Sequence, residues 1–192
     1  MKQEIICAGI GGRGVLLAST VLIEAAIKSG MRAMASDEYG MSQRGGSVVS
    51  LVKVGDYASP FIGRENGDAL LAFEESEFYK TLFFLKKGGL ALVNTERTLF
   101  APSIEALLKA REISCHSIDA DGIARDEGMF QSANMALLGA FAFFGVEPFT
   151  RDILEATIRA RVPEKFRGKN LSVFARGFEA ARMNTEGARR KA

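Results

Sequence analysis

A short apolar run, Ile5-Ile6-Cys7-Ala8, passes directly into Gly9-Ile10-Gly11-Gly12-Arg13-Gly14 and then into a long apolar segment with helical spacing. No other part of the chain constrains the fold as much. Four apolar residues bounded by glycines read as a buried strand and a tight turn. From Gly14 to Ser29 the only charges are Glu24 and Lys28, four apart in the order that supports a helix. Leu16, Ile23 and Ile27 share one face with Leu22 and Ala26 beside it, so this helix is expected to be mostly buried. Gly30 ends it as a C-cap, and Met31 to Ala35 reads as a second strand joined to the first by a crossover. Strand, glycine turn and buried helix together point to a layered α/β protein rather than a bundle or a sandwich.

The rest of the chain repeats the alternation. Ser47 to Val54 has strand character, Gly55-Asp56 suits a two-residue turn, and Tyr57 to Ile62 is expected to return as the second arm of an antiparallel hairpin. Ala69 to Phe73 and Leu90 to Val93 are further buried strands. Between them a helix over Glu75 to Leu85 is expected to end at Lys86-Lys87-Gly88-Gly89, cations and glycines that favour a helix C-terminus. Ile104 to Ala110 reads as a helix, Ile113 to Ile118 as a strand, and Asn134 to Phe144 as a core helix containing Phe141, Phe143 and Phe144. Arg151 to Arg161 and Lys165 to Met183 read as amphipathic closing helices. The expected architecture is a three-layer α/β/α fold with a mostly parallel, Rossmann-like sheet and an antiparallel hairpin. One domain covers residues 1–184, and the basic tail 185–192 is expected to fray.

Composition excludes several functions. The 192 residues carry 25 Lys and Arg against 23 Asp and Glu, a net +2, which lacks the basic excess of phosphate-backbone binders, so no nucleic acid partner is expected. The two cysteines, Cys7 and Cys115, cannot build a disulfide framework or supply the roughly four thiolates of an iron–sulfur cluster. The start of the chain is too brief in apolar character for a secretory leader, and no stretch approaches the roughly 20 apolar residues of a membrane span. A cytoplasmic protein with free thiols is the expectation.

Two segments can carry chemistry. The glycine string has the G-x-G-x-x-G spacing of a dinucleotide turn between strand and helix. Gly9, Gly11, Gly12 and Gly14 would let backbone approach a phosphate, and Arg13 would add a cation beside the helix start. The acidic residue wanted about 20 positions on is not well placed, because Asp37 and Glu38 come late, after an apparent loop start. The same glycines also serve a tight, closely packed turn. The second segment runs from Ser36 to Gly46 and is longer than a usual connection. Its Glu38, Tyr39, Gly40, Met41, Gln43, Arg44, Gly45 and Gly46 form either a substrate or partner loop at the carboxyl edge of the sheet or a solvated connection. Arg44 beside two glycines suits a carboxylate or phosphate.

Other clusters read as structural. Cys115 and His116 are adjacent in a strand and face opposite sides, so they cannot chelate together. Asp119-Ala120-Asp121-Gly122 reads as a helix-capping turn rather than a calcium loop, and Asp68 and Glu74 are expected to cap. With one His there is no Ser/His/Asp set, and no metal site or catalytic residue is assigned.

The strings Ile6-Cys7-Ala8-Gly9-Ile10-Gly11-Gly12-Arg13-Gly14-Val15-Leu16-Leu17-Ala18 and Glu38-Tyr39-Gly40-Met41-Ser42-Gln43-Arg44-Gly45-Gly46-Ser47-Val48-Val49 resemble the gamma subunit or domain of the 2-oxoacid:ferredoxin oxidoreductases. The likeness continues through Ser59-Pro60, Leu70 to Glu74, Gly88-Gly89, Val93-Asn94-Thr95 and Asn134 to Ala140, about three quarters of the chain in family order. It is most similar to the indolepyruvate oxidoreductase beta-subunit type, with Met41 where many pyruvate and 2-oxoglutarate members have proline. The resemblance implies a complex that oxidatively decarboxylates a 2-oxoacid to an acyl-CoA and passes electrons to ferredoxin. Thiamine diphosphate and iron–sulfur clusters would lie in partner subunits, with this chain packed against them near the coenzyme A side. In isolation such a subunit is expected to expose apolar surface or form a homodimer. A free-standing NAD(P)-binding or other nucleotide-binding protein is the alternative.

Overall fold

Side chains alternate along the first strand, β1 (Gln3–Ile10), and the two faces bury different partners. Ile5 and Cys7 enter a core with helices α1 (Val15–Lys28), α4 (Ala120–Asp126), α5 (Ala133–Phe143), α6 (Arg151–Arg161) and α7 (Glu164–Arg189). Ile6 and Ala8 enter a smaller core with α2 (Glu75–Thr81) and α3 (Pro102–Ala110). These faces are the two helix layers of an α/β/α sandwich. The computed structural model describes residues 1–40, 45–96 and 100–189.

The six-stranded sheet contains β1, β2 (Ala33–Tyr39), β3 (Ser47–Val54), β4 (Gly67–Ala72), β5 (Leu85–Asn94) and β6 (Ser114–Ile118), in the order β2-β3-β1-β4-β5-β6. β1, β4, β5 and β6 pair in parallel, and β3 runs antiparallel to both β1 and β2. The carboxyl ends of the parallel strands therefore lie together with the starts of α1, α2, α4 and α5, while the buried α5 fills the larger core.

Several sequence expectations are corrected. β2 follows a crossover and points the same way as β1, yet β3 lies between them. β2 also runs on to Tyr39, so Asp37 and Glu38 belong to a strand rather than a loop. The antiparallel hairpin is β2–β3; Tyr57 to Ile62 forms no strand. Both edges of β3 are already paired, and Gly55 N–H closes the turn region on Arg32 C=O at 2.7 Å, so no edge is left for a returning arm. The segment instead crosses the sheet face and buries Ile62 in the smaller core. Lys86-Lys87-Gly88-Gly89 lies inside β5, because α2 ends at Thr81 and a 3-10 turn over Leu82–Phe84 feeds straight into the strand. α7 continues through Arg189. Among the described residues no helix is long and apolar enough to cross a membrane.

Candidate functional site

The glycine turn leaves β1 at the carboxyl end of the sheet, and its glycines are used for close approach. A Cβ on Gly9 would lie 2.7 Å from Val15 Cγ2, and one on Gly14 would lie 2.5 Å from Asn134 Nδ2. Gly14 also has a φ of 72°, in the left-handed region that side chains avoid. Asn134, buried at the start of α5, donates its Nδ2 to Gly14 C=O at 3.1 Å. The start of α1 is thus held against α5 by backbone approach that only glycine permits.

Arg13 does not face outward as a free cation. Its Nε and Nη2 each lie 2.8 Å from Glu74 Oε2, and its Nη1 lies 2.8 Å from Asp121 Oδ1. Burial alone would lower its pKa, but Asp121 and Glu74 outweigh that and raise it. Glu74 occupies the N-cap position of α2 without making a side-chain cap, so its carboxylate serves Arg13 rather than the helix. Asp121 sits in the first turn of α4, whose cap is Asp119, accepting from Gly122 N–H at 2.7 Å. The capping turn expected there is present, while the capping roles expected for Glu74 and Asp68 are not. Asp68 lies within β4, accepts Glu4 N–H at 2.7 Å and pairs with Lys86.

Asn94, at the end of β5, joins the network from beneath. Its Nδ2 donates to Phe73 C=O at 3.1 Å and Asp121 Oδ2 at 3.0 Å, and its Oδ1 accepts the N–H groups of Ala120 at 3.0 Å and Asp121 at 3.2 Å. One buried amide therefore connects the loops after β4, β5 and β6. Neither Asn94 nor Asn134 stands out by residue type in the sequence. The available signal was position, since Asn94 ends the apolar run of a strand and Asn134 opens that of a helix.

The second candidate segment meets the glycine turn directly. The β1–β3 pairing ends at Ile10 opposite Ser47, and Gly11 N–H continues it to Gly46 C=O at 2.9 Å. Gly40 N–H donates to Ser47 C=O at 2.7 Å, and Ser47 Oγ donates to Glu77 at 2.6 Å. Glu77, only 1% exposed, also pairs with Lys80 Nζ at 2.6 Å. Glu38, Gly40 and Gly45 are exposed, and Gly46 is half-buried. Tyr39 closes β2 with its backbone; Met41, Gln43 and Arg44 lie outside the described residues. Gly11, Gly40, Gly46 and Ser47 are thus brought to one edge, together with Arg13, Glu74 and Asp121.

Little nucleophilic capacity accompanies this edge. Burial pushes the Cys7 thiol up to about 12, with Asp37 adding to it, and burial pushes Cys115 to about 12, so neither is a thiolate at neutral pH. His116 has its pKa lowered by burial and stacks on Phe144, while Cys115 packs into the opposite core. Among the described residues no group of three or more His, Cys, Asp or Glu is placed to hold a metal ion. The arrangement can position, order and contact, and among the described residues no acid–base pair is set at this edge.

Comparison with known proteins agrees with the resemblance carried by these motifs. The family described as pyruvate ferredoxin/flavodoxin oxidoreductase matches residues 4–180. Indolepyruvate oxidoreductase subunit IorB of Archaeoglobus fulgidus is 29% identical, over 94% of this chain and 96% of its own. 2-Oxoglutarate synthase subunit KorC of Methanothermobacter thermautotrophicus is 32% identical, over 93% and 95%. The solved gamma subunit of a keto/oxoacid ferredoxin oxidoreductase from Geobacter sulfurreducens superposes with a TM-score of 0.74 at 31% identity, covering 93% of this chain and 98% of that one. The chain belongs to the pyruvate ferredoxin/flavodoxin oxidoreductase family and is a subunit of an oxidoreductase.

Proposed function

We propose that this chain is the gamma-type subunit of a cytoplasmic complex that oxidatively decarboxylates a 2-oxoacid to an acyl-CoA, with the electrons leaving to ferredoxin. Thiamine diphosphate and the iron–sulfur clusters belong to partner subunits, and this chain supplies a shaped edge against them. The observation that carries the reading is the family match from residue 4 to 180, joined to a carboxyl edge that gathers the family-like segments. Leu16, in the first turn of α1, and Phe130, just before α5, are exposed apolar side chains at the same end, as a subunit contact needs.

The glycine turn is structural in this proposal, and the segment from Glu38 to Gly46 is the part that meets partner or coenzyme A. Support comes from Arg13, whose charge is already taken by two carboxylates, leaving a surplus negative charge where a phosphate would sit. A dinucleotide turn also needs the second strand beside the first, and here β3 intervenes. Co-expression with thiamine-binding and cluster-binding partners, followed by a viologen-linked assay, tests the whole proposal. Turnover is expected with indolepyruvate above pyruvate and 2-oxoglutarate, and failure of the chain to enter any such complex overturns it. Arg44→Ala is expected to lower turnover of the assembled complex without blocking assembly; unchanged kinetics removes the loop from the site.

A further inference from the structure

The sheet has two outer strands, β2 and β6, and they are treated differently. An outer strand presents unpaired N–H and C=O groups, a template for another strand unless something blocks it. On β6, Thr95 N–H donates to Ile118 C=O at 3.1 Å, which places Ile118 facing β5 and the backbone of Ser117 facing out. Asn184 of α7 then donates its Nδ2 to that outward Ser117 carbonyl at 3.0 Å. At Ser117 the β6 edge is therefore capped by its own chain.

Among the described residues, none hydrogen-bonds to the outward backbone of β2. Gly55 N–H to Arg32 C=O and Gly40 N–H to Ser47 C=O, both at 2.7 Å, fix the hydrogen-bonding phase of the β2–β3 pair. Even-numbered residues from Arg32 to Gly40 direct their backbone toward β3, so Ala33, Ala35 and Asp37 direct theirs outward. The strand Ala33–Tyr39 contains no proline and no lysine, and its pairing with β3 has no bulge. Its charges, Asp37 and Glu38, lie toward its carboxyl end, and the stretch Ala33 to Ser36 carries none.

We propose that the β2 edge is an interface with a second copy of this chain, pairing antiparallel about a two-fold axis at Ala35. In that register Ala35 exchanges both backbone hydrogen bonds with Ala35 of the second copy, and Ala33 does so with Asp37 of the second copy. Met34 lies opposite Ser36 of the second copy. Arg32 lies opposite Glu38 of the second copy on the same face of the joined sheet, an opposite-charge pair at each end. Glu38 is exposed, and the partner of Arg32 within the chain is Asp56 at 2.6 Å, a pair 75% and 80% exposed that competes weakly. Moving the axis to Asp37 would set Asp37 against itself, so charge selects the Ala35 register. The two six-stranded sheets become continuous across the axis.

Light scattering on the purified full chain provides the test. At ~100 μM the wild type is expected at about twice 20.8 kDa. Ala35→Pro removes only an outward N–H, which the chain's own sheet does not use, and is expected to give a folded monomer with an unchanged circular dichroism spectrum. Glu38→Arg sets like charges opposite each other and is expected to weaken the dimer by about tenfold or more, while Arg32→Glu combined with Glu38→Arg restores it. A wild type that stays monomeric, a folded Ala35→Pro protein that still dimerises, or a double reversal no better than the single one overturns the proposal. The charge pair keeps the test decisive should Ala35→Pro fail to fold.

Discussion

The two ends of the sheet each carry a cluster of charges, and the clusters are built oppositely. At the amino end Glu4 and Lys53 are cross-strand partners on β1 and β3, their side chains 11% and 10% exposed and 3.2 Å apart. Lys2 and Lys53 lie over the Tyr57 ring at 4.7 and 4.5 Å, and Asp68 holds Glu4 N–H. At the carboxyl end Arg13, Glu74 and Asp121 are each about one-third exposed and come from loops distant in sequence. A dry pair is costly to break, whereas a pair this wet contributes little to stability. The amino end therefore anchors the sheet, and the carboxyl end holds loops in register through charges that water and a partner can still reach.

The sharpest way to break this contrast is Lys53→Met. It strands the buried Glu4 carboxylate, whose Oε1 lies 3.2 Å from Lys53 Nζ, and is expected to cost about 3–5 kcal/mol in denaturant unfolding. Replacing both Glu4 and Lys53 by apolar residues is expected to recover most of that loss. A Lys53→Met cost below about 1 kcal/mol would make the two ends equivalent.

Asn94→Ala comes next, at about 2–3 kcal/mol, because it leaves Phe73 C=O and the N–H groups of Ala120 and Asp121 without their partner. Urea titration measures it. A near-neutral result would mean that the carboxyl end is held by its ion pairs after all, reversing the roles assigned to amide and charge.

The layered fold was legible because strand and helix periods differ and because Ile5 to Ala8 meets glycine and then helix. The α6 boundaries, Arg151 to Arg161, also follow from the sequence. Strand order was not legible: no residue in Met31 to Ala35 reports that β3 will lie between β2 and β1, since pairing is decided by the whole sheet. Lys86 to Gly89 misled because cations and glycines suit a helix end and an irregular strand start equally well. At the candidate site, the two segments were visible by glycine content and loop length. Their junction through Gly11 and Gly46, and the capture of Arg13 by Glu74 and Asp121 across 61 and 108 residues, are contacts that no local pattern encodes.

Arg13→Met is a smaller test with a separate readout. Because all three groups are about one-third exposed, screening limits the loss to about 1 kcal/mol or less. Two carboxylates then face each other without a cation. Salt is expected to recover part of the loss by screening their repulsion. A stability loss comparable to that of Lys53→Met would show that the carboxyl-end charges carry as much weight as the amino-end pair.

The smallest expected effect lies at high pH. Burial first, then Glu4 and Asp68, push the Tyr57 phenol from 10.0 up to about 12. The folded state favours the neutral phenol, so its contribution to stability is complete below about pH 10, where the unfolded chain begins to ionise. It is lost as pH rises from there through the folded value. An alkaline absorbance titration of the wild type minus Tyr57→Phe isolates this group among the three tyrosines. A difference transition near 12 fits the dry amino end, and one near 10 would place Tyr57 in water. Glu4→Gln shifts that transition downward if the carboxylate acts on the phenol as the geometry requires.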